Sequence, residues 1–351
     1  MTPNSDAFKR HDGLDFAKFL CSYMVISIHM SYFGKSYIEP LSRFAVPLFF
    51  MITGYFYSSI KQKNKELAQI RKVITLFLYS NLLFLFWEIP RCILSNESLS
   101  DSFSLLLNIK GWIKFICFNE PFFSGHLWYL GALLYVLVII FVFDKYSNRQ
   151  KLYKFIPLLL LINIVFGNYS TFVFGTKLPL MLTRNFLFCG LPFFLLGDAL
   201  HHNRSILTQK QLILVITISI LLSAAENILL LSSGNAFNDD CFIATPFLAY
   251  SLFIFFLENS YISNTRFLLN IAVLGRRTST TIYIVHPIVI PIVGMITNAV
   301  GKYFPHVITV YHYIAPLVTL ILCTLFAICY HALIGKFICL RRTHSAHTVD
   351  K

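Results

Sequence analysis

Apolar residues occur along this chain in long runs that are separated by short polar connections. The runs lie at 14–34, 41–60, 72–90, 126–143, 153–170, 185–201, 211–231, 241–257, 278–300 and 311–335. Each is near the length of about 20 residues that an α-helix needs to cross the hydrocarbon core of a bilayer. The pattern predicts an all-α fold, a polytopic integral membrane bundle of about ten transmembrane helices.

Composition and charge agree with a bilayer protein. Hydrophobic residues make up 56% of the chain, charged residues 13%, and the mean hydropathy is +0.67. The formal net charge of +13 comes from Lys and Arg, which lie mainly in the short connections. No RNA-binding signature accompanies these residues, so we predict no nucleic-acid partner.

The distribution of Lys and Arg predicts the orientation of the chain. Counted on alternating sides of the predicted helices, 20 of the 29 fall on one side and 8 on the other, while Lys18 lies inside the first run. Cytoplasmic connections are enriched in these residues, so both termini are predicted to be cytoplasmic in a multi-pass protein of the cell (plasma) membrane. We predict a single transmembrane domain over 1–342 and a disordered cytoplasmic tail over 343–351.

The longest predicted outer segment runs from Arg91 to Gly125. It contains two apolar stretches, 103–107 and 112–118, which are too broken to span and too apolar to float free in water. An interfacial or re-entrant helix on the outer leaflet is the first interpretation, with a lid over a cavity as one consequence. The alternative is a packing loop with no role in chemistry.

Ionisable and polar residues collect in the predicted outer half of the bundle. A helix rises 1.5 Å per residue, which places His29 roughly 22 Å beyond Leu14 and Glu88 roughly 24 Å along the third helix. A charge at mid-bilayer costs about 2.5 to 3.5 kcal/mol, so such residues are rarely accidental. The predicted layer comprises His29, Arg43, Glu88, Arg91, His126, Trp128, Arg184 and Glu226, with His286 near the middle of its helix.

These residue types suit acid–base chemistry. A neutral imidazole takes a proton from a hydroxyl and a carboxylate orients the imidazole, so His29 with Glu88 is a candidate base and orienter. Arginines such as Arg43 and Arg91 suit a carboxylate, a phosphate or a developing oxyanion. Structural alternatives stay open: a lone His in a helix often bonds to a nearby backbone or hydroxyl group. Charged residues near helix ends often reach the headgroups.

A second set lies at the predicted cytoplasmic face. Asp15 and Lys18 are three residues apart on one helical face and near two basic turns, Arg71-Lys72 and Arg276-Arg277. A positive cytoplasmic mouth suits a phosphorylated donor such as coenzyme A. Two alternatives stay open: Asp15 and Lys18 pair with each other, and the basic residues only set topology.

Several classes of chemistry lack their motifs. The eight cysteines include no C-x-x-C pair, and the adjacent His201 and His202 lack the spacing of a tetrahedral site, so no metal is predicted. A P-loop, a Rossmann glycine pattern and Gly-x-Ser-x-Gly are absent from the sequence. A disulfide among the predicted outer cysteines, Cys92, Cys117 and Cys241, stays open.

Motifs along nearly the whole chain resemble one family. In order they are Arg10-x-x-Gly13-Leu14-Asp15 leading to His29, Arg43-x-x-Val46-Pro47-Leu48-Phe49-Phe50 with Gly54-Tyr55-Phe56, His126-Leu127-Trp128-Tyr129-Leu130, Pro192-Phe193-Phe194-Leu195-Leu196-Gly197, and Ser279-x-x-x-Tyr283-x-x-His286. This order is similar to that of the membrane acyltransferase-3 family.

The resemblance implies a ten-helix membrane enzyme that moves an acyl group, commonly acetyl from acetyl-CoA, onto a hydroxyl of a cell-surface glycan or related acceptor. It places the leading catalytic role on His29 and an active-site cation on Arg43, and Arg10 matches the family's N-terminal Arg. The family often has two close arginines before its third helix, where this chain has Arg71 followed by Lys72.

We therefore expect an O-acyltransferase that works across the bilayer, with His29 activating the acceptor hydroxyl or carrying the acyl group briefly. The expected partners are membrane lipid, an acyl-CoA donor and a glycan or lipid-linked acceptor; a homodimer stays open.

A transport function is the alternative. The stretches 126–134 and 184–197 are also similar to the membrane half of membrane-bound serine racemases. This relation raises a transporter or flippase for a small polar molecule such as an amino acid. Broken helices would favour it, and Pro47, Pro192, Pro287 and Pro291 are candidate helix breakers.

Overall fold

The computed structural model describes residues 11–203, 207–232, 240–259 and 261–349, with side chains to 335. This part of the chain is helical and contains no strand. The α-helices are α1 Asp12–Ile28, α2 Lys35–Ser42, α3 Ala45–Gln62, α4 Glu66–Ser95, α5 Leu99–Ser104, α6 Ile109–Phe118, α7 Trp128–Tyr146, α8 Ile156–Phe166, α9 Ser170–Phe174, α10 Leu191–His202, α11 Gln209–Ser232, α12 Ala244–Glu258, α13 Tyr261–Asn264, α14 Arg266–Gly301 and α15 Pro305–Val349.

Two compact units make up the described chain. The large unit contains His11 and the described residues of 39–259, and the small unit contains 12–38 and the described residues after 260. The large unit thus holds most of α2 through α12, and the small unit holds α1 with α13, α14 and α15. The last helix continues to Val349, so position 343, where the tail was predicted to begin, is not a helix end.

Five helical segments within the described ranges are long and apolar enough to cross a membrane. They are Glu66–Ser95, Gly125–Tyr146, Gln209–Ser232, Arg266–Gly301 and Pro305–Gly335. The prediction of a multi-pass, all-helical membrane protein is thereby confirmed at this coarser level. The count of ten spans and the orientation of the termini stay predictions. The run at 153–170 yields only α8, which has 11 residues and is therefore too short to cross a bilayer by itself.

The basic pairs predicted to lie in turns lie inside helices instead. Arg71 and Lys72 belong to α4, which begins at Glu66, and Arg276 and Arg277 lie three turns into α14. Lys and Arg are good helix formers, so a helix continues through them beyond its apolar part. The assignment of these pairs to turns is wrong.

The four prolines considered as helix breakers do not interrupt their helices. Pro47 and Pro192 lie in the first turns of α3 and α10, where the missing N–H would have no intrahelical partner. Pro287 and Pro291 lie within α14, which continues through both. A different interruption occurs just before α10, where Phe186–Gly190 forms a π-helical turn.

Close backbone contact joins α3 and α10 in the large unit. A Cβ atom placed on Gly54 would overlap the carbonyl oxygen of Phe194, and one on Gly197 would overlap that of Met51. Both glycines belong to the motifs quoted above, and each leaves room for the backbone of the other helix. Gly54 and Gly197 are therefore residues of these motifs that serve helix packing.

Helices α1 and α14 approach equally closely in the small unit. A Cβ on Gly275 would overlap the carbonyl oxygen of Asp15. Towards the other end of α1, a buried cluster joins α1, the turn after it, α14 and α15. Its members are Ile26, Met30, Tyr32, Ile282, Val285, Ala315, Leu320 and Cys323.

Candidate active site

His29 lies just beyond the end of α1, which ends six residues before the end of the predicted run 14–34. Its backbone N–H donates to the carbonyl of Ile26 at 3.0 Å, which closes a turn and leaves the side chain exposed. The C-terminal end of a helix carries a partial negative charge that favours a protonated imidazole. His29 is thus accessible, and it stands where the protonated form of its ring is stabilised.

The imidazole of His286 stands beside that of His29 in the small unit. The two ring centroids are 5.2 Å apart, with the ring planes tilted by 37°, and His286 is completely buried. Its Nδ1 lies 3.2 Å from the carbonyl oxygen of Ile282 in the preceding turn of α14. A carbonyl accepts only, so Nδ1 carries a proton, and in the neutral form of the ring Nε2 is then the acceptor.

The other end of α1 carries the predicted cytoplasmic set. Lys18 Nζ donates to Asp15 Oδ1 at 2.7 Å, which confirms the alternative that these two residues pair. Arg276 Nη1 lies 3.5 Å from the second oxygen of Asp15 and 4.0 Å from Asp12. About 21 Å of helix separates Asp15 from His29 at 1.5 Å per residue. Binding of a donor by Asp15 and Lys18 stays a prediction.

Arg43 occupies the turn between α2 and α3 in the large unit. Its guanidinium is buried, and Nη2 lies 2.5 Å from Glu39 Oε1, so its charge is paired. Glu39 was not among the predicted site residues. The ion pair does not test the proposed role of Arg43 as an active-site cation.

Arg184 pairs with an aspartate that sequence reasoning did not select. Arg184 Nε lies 3.5 Å from Asp240 Oδ1, and the hydroxyl of Thr183 donates to Asp240 Oδ2. Asn168 also bonds to the backbone of Asp240, its amide donating to the carbonyl at 3.0 Å. Burial raises the pKa of Asp240, and the charge of Arg184 opposes that shift only in part.

Glu88 and Arg91 form a bidentate ion pair on α4. Arg91 Nε and Nη2 donate to the two oxygens of Glu88 at 2.8 and 2.7 Å, and Nη2 also reaches Glu97 at 2.8 Å. The thiol of Cys92 lies 3.7 Å from Glu88 Oε1. Both oxygens of Glu88 are engaged within α4, although a carboxylate retains capacity for further donors.

His126 and Trp128 lie where α7 begins. His126 belongs to the short helical turn Gly125–Leu127; its Nδ1 is 2.7 Å from Ser124 Oγ, and its ring packs edge-on to Phe84 at 5.0 Å. The Trp128 ring lies 6.4 Å from that of Phe50. His126 is buried and Trp128 is half-buried, and the contacts of both suit either packing or binding.

Glu226 joins three segments of the large unit. Tyr169 donates to its Oε1 at 2.7 Å, and the backbone N–H of Ile243 donates to both oxygens at 2.9 and 3.0 Å. Glu226 therefore satisfies a backbone N–H next to the start of α12, a structural role that the sequence left open. By contrast, Arg71 is exposed on the first turns of α4.

The predicted residues thus divide between the units. His29, His286, Asp15 and Lys18 lie in the small unit, whereas Arg43, Arg71, Glu88, Arg91, His126, Trp128, Arg184 and Glu226 lie in the large unit. The pairing of Glu88 with His29 stays a prediction. Arg10 lies outside the described residues.

Neither metal binding nor cysteine pairing appears in the described ranges. Within them, no group of three or more His, Cys, Asp or Glu side chains is arranged to hold a metal ion. The cysteines whose side chains the structure describes, those up to Cys329, are free thiols. The expectation that no metal takes part stays a prediction.

A buried ion network in the large unit escaped the sequence analysis. Arg149 was counted only as a topology charge, yet it is 6% exposed and binds both oxygens of Asp198, which is fully buried. Arg149 Nη1 also donates to Asp144 at 2.8 Å, and Tyr153 donates to Asp198 at 2.7 Å. Lys61, 2.8 Å from Asp144, completes a network with two cations and two carboxylates.

One signal in the sequence indicated this network. Asp198 interrupts the apolar run 185–201, as Glu88 interrupts the run 72–90. An acidic residue inside such a run calls for a buried partner. Asp198 directly follows a motif that drew attention to Gly197, and its partner Arg149 lies 49 residues away in a predicted loop.

Comparison with known proteins gives one family and one relative. The profile of the family described as "Acyltransferase domain", acyltransferase-3, matches residues 11–335. A protein of Enterococcus faecalis with the name "Amino-acid racemase" is 26% identical over 325 residues. The alignment covers 84% of this chain but only 43% of that protein, so the chain spans less than half of its relative's length. No solved structure matches.

Proposed function

The chain belongs to the acyltransferase-3 family, and on that premise we propose that it is an integral membrane O-acyltransferase that uses acyl-CoA, in particular acetyl-CoA. The proposed acceptor is a hydroxyl group of a cell-surface glycan or related envelope molecule. The family match over residues 11–335 supports acyl transfer at the membrane, whereas the donor, the acceptor and the cell membrane are parts of the proposal.

The observation that carries the proposal is the position of His29. It is the motif histidine, it is exposed beyond the end of α1, and a buried neutral imidazole stands beside it. An accessible imidazole that gains a proton at a helix C-terminus is suited to take one from an attacking hydroxyl.

Direct transfer proceeds in two steps. His29 accepts the hydroxyl proton as the oxygen attacks the thioester carbonyl, and a C–O bond forms. The C–S bond then breaks, coenzyme A leaves as thiolate, and the proton on His29 returns to the sulfur. Arg43 remains the proposed cation for the developing oxyanion. In the second form of the mechanism, His29 carries the acyl group before the acceptor receives it.

Purified protein in liposomes, given radiolabelled acetyl-CoA and cell-envelope glycans, tests the proposal. We expect label to enter the glycan, and we expect His29→Ala to lower the rate at least about 100-fold, in line with loss of a general base. His306→Ala is the matched control, because His306 is an exposed histidine of the same unit, on α15. Labelling of the glycan by His29→Ala at the normal rate would refute the catalytic role of His29.

A transporter or flippase of a small polar molecule is the second candidate. The name "Amino-acid racemase" of the Enterococcus faecalis relative favours an amino acid as that molecule. The same liposomes, preloaded with buffer and given radiolabelled serine, test this candidate. Uptake that does not depend on coenzyme A, together with no labelling of any glycan, would favour transport over acyl transfer.

A further inference from the structure

The sequence analysis assigned the orientation of His29 to Glu88, and the buried imidazole beside His29 is a second candidate for that task. We propose that His286 is a positioning residue for His29, which it orients by offering its Nε2 acceptor to the imidazole of His29. This inference rests on the proposed function, since it describes how the base of that reaction is held. The family resemblance implied no such role for His286, and the sequence left it as a binding or packing residue.

The backbone of α14 selects one tautomer of His286. Its Nδ1 is 3.2 Å from the carbonyl oxygen of Ile282, an acceptor that requires a proton on Nδ1. At 0% exposure the ring is neutral, because an isolated charge in an apolar surrounding is costly. With Nδ1 turned towards the backbone of α14, the nitrogen at the opposite end of the ring, Nε2, is the acceptor that a neighbouring side chain can use.

The rings of His286 and His29 lie in different environments. His286 is completely buried and directly follows Val285, a member of the buried cluster, and its contact with the carbonyl of Ile282 on its own helix fixes its orientation. His29 is exposed and lies in a turn outside regular helix. A buried, hydrogen-bonded ring 5.2 Å from an exposed one is suited to select the tautomer and direction of the exposed ring.

A packing role alone does not explain a histidine at position 286, because burying a polar ring costs free energy. If the position of His286 only had to be filled, an apolar side chain would fill it without the free-energy cost of burying a polar ring. A neutral His beside the base supplies an acceptor, as a carboxylate does in a catalytic triad. Meanwhile both oxygens of Glu88 already accept from Arg91.

Two amide variants separate positioning from packing. His286→Gln places an amide near the position of Nε2, whereas His286→Asn places one near Nδ1 and leaves the Nε2 position empty. We expect His286→Asn to lower kcat for acetyl transfer about 10- to 100-fold with both KM values unchanged, and we expect His286→Gln to recover most of that loss. Equal losses in both variants, or a raised KM for the acceptor at unchanged kcat, would overturn the inference.

A second measurement works without acyl transfer. Diethyl pyrocarbonate modifies accessible neutral imidazoles, and mass spectrometry gives the rate at His29, with the exposed His306 as an internal reference. We expect the His29 rate to fall several-fold in His286→Asn and to stay near normal in His286→Gln. An unchanged rate in both variants would count against positioning.

The acetyl-transfer assay and the reactivity of His29 together distinguish failure of the proposed function from failure of the positioning role. If no variant transfers acetyl but His29 reactivity depends on His286, then the proposed function fails and the positioning stands. If transfer requires His29 but neither kcat nor reactivity responds to His286→Asn, then the function stands and the positioning fails.

Discussion

Arg149 donates hydrogen bonds to both carboxylate oxygens of Asp198, at 2.8 and 3.0 Å, although Asp198 lies 49 residues later in the chain. The two side chains are at most 7% exposed. The contact joins the segment after α7 to α10, and the hydroxyl of Ser58 brings α3 into the same network, 3.0 Å from Asp198. A buried pair with this many hydrogen bonds holds three elements of the large unit in one arrangement.

Removing one charge of this pair will destabilise the protein. Asp198→Asn keeps the size of the side chain but leaves the guanidinium of Arg149 with Asp144 as its remaining acidic partner. We expect the free energy of unfolding to fall by about 3 to 5 kcal/mol, the usual cost of removing one partner from a buried ion pair. Unfolding by SDS titration in mixed micelles measures it. Lys151→Gln, an exposed cation in the same segment, is the control, and an equal loss in both variants would refute the prediction.

The contact between α3 and α10 leaves no space for a methyl group. In Gly197→Ala the new Cβ would overlap the backbone carbonyl of Met51, which cannot move as a side chain does. We expect a loss of at least about 1 to 3 kcal/mol, the usual range for overpacking, seen as a lower melting temperature. Gly294→Ala is the control, since no atom lies within 4 Å of a Cβ placed there. Equal melting temperatures for the two variants would show that the helices separate freely.

Protonation of Asp240 will make stability depend on pH. Burial raises the pKa of Asp240 above that of an unfolded aspartate, about 3.9, so the folded state holds this proton more tightly. The contribution to stability is therefore full below about pH 3.9 and is lost as the pH rises through the raised pKa. Melting temperatures between about pH 4 and 8 should fall less steeply in Asp240→Asn than in the natural protein. A slope that is the same in both would contradict this.

The predicted interfacial segment presents one apolar strip. Ile109, Ile113 and Ile116 follow helical spacing on α6, and they are 71%, 51% and 57% exposed. The opposite side packs inward, where Phe115 stacks on Phe77 of α4 at 5.7 Å. The strip has the form expected of a helix lying in the bilayer surface.

A spin label tests the position of α6 in liposomes. Attached at Ile113→Cys, it should be relaxed more by oxygen, which concentrates in lipid, than by a water-soluble nickel chelate. Asp101→Cys, on the exposed surface of α5, should show the reverse. Cys117 and Cys329, the exposed cysteines, are replaced by serine first. Preferential relaxation of the Ile113 label by nickel would place α6 in water.

The residues of the candidate site were accessible to sequence reasoning to different degrees. His29, Arg43 and Glu88 stood out because each breaks an apolar run or belongs to a motif, and each has a charged or imidazole neighbour. Of these neighbours, Arg91 and His286 were among the predicted residues, whereas Glu39 lies outside the quoted motifs. Asp240, the partner of Arg184, and Arg149, the partner of Asp198, were missed because both lie in connections. A partner several helices away leaves no periodic signal in the chain.

The sequence by itself determined that this protein is helical, apolar enough to cross a bilayer several times, and a member of an acyltransferase family. The helical fold and the apolar runs follow from local composition and spacing, since each helix satisfies its own backbone and the bilayer requires long apolar runs. The family follows from the motifs and the profile match over residues 11–335. Only the tertiary structure decided which charges meet, that α14 continues through two prolines, and that His286 lies beside His29. Those contacts depend on how helices far apart in sequence pack, and the spacing along one helix carries no information about the residue that faces it.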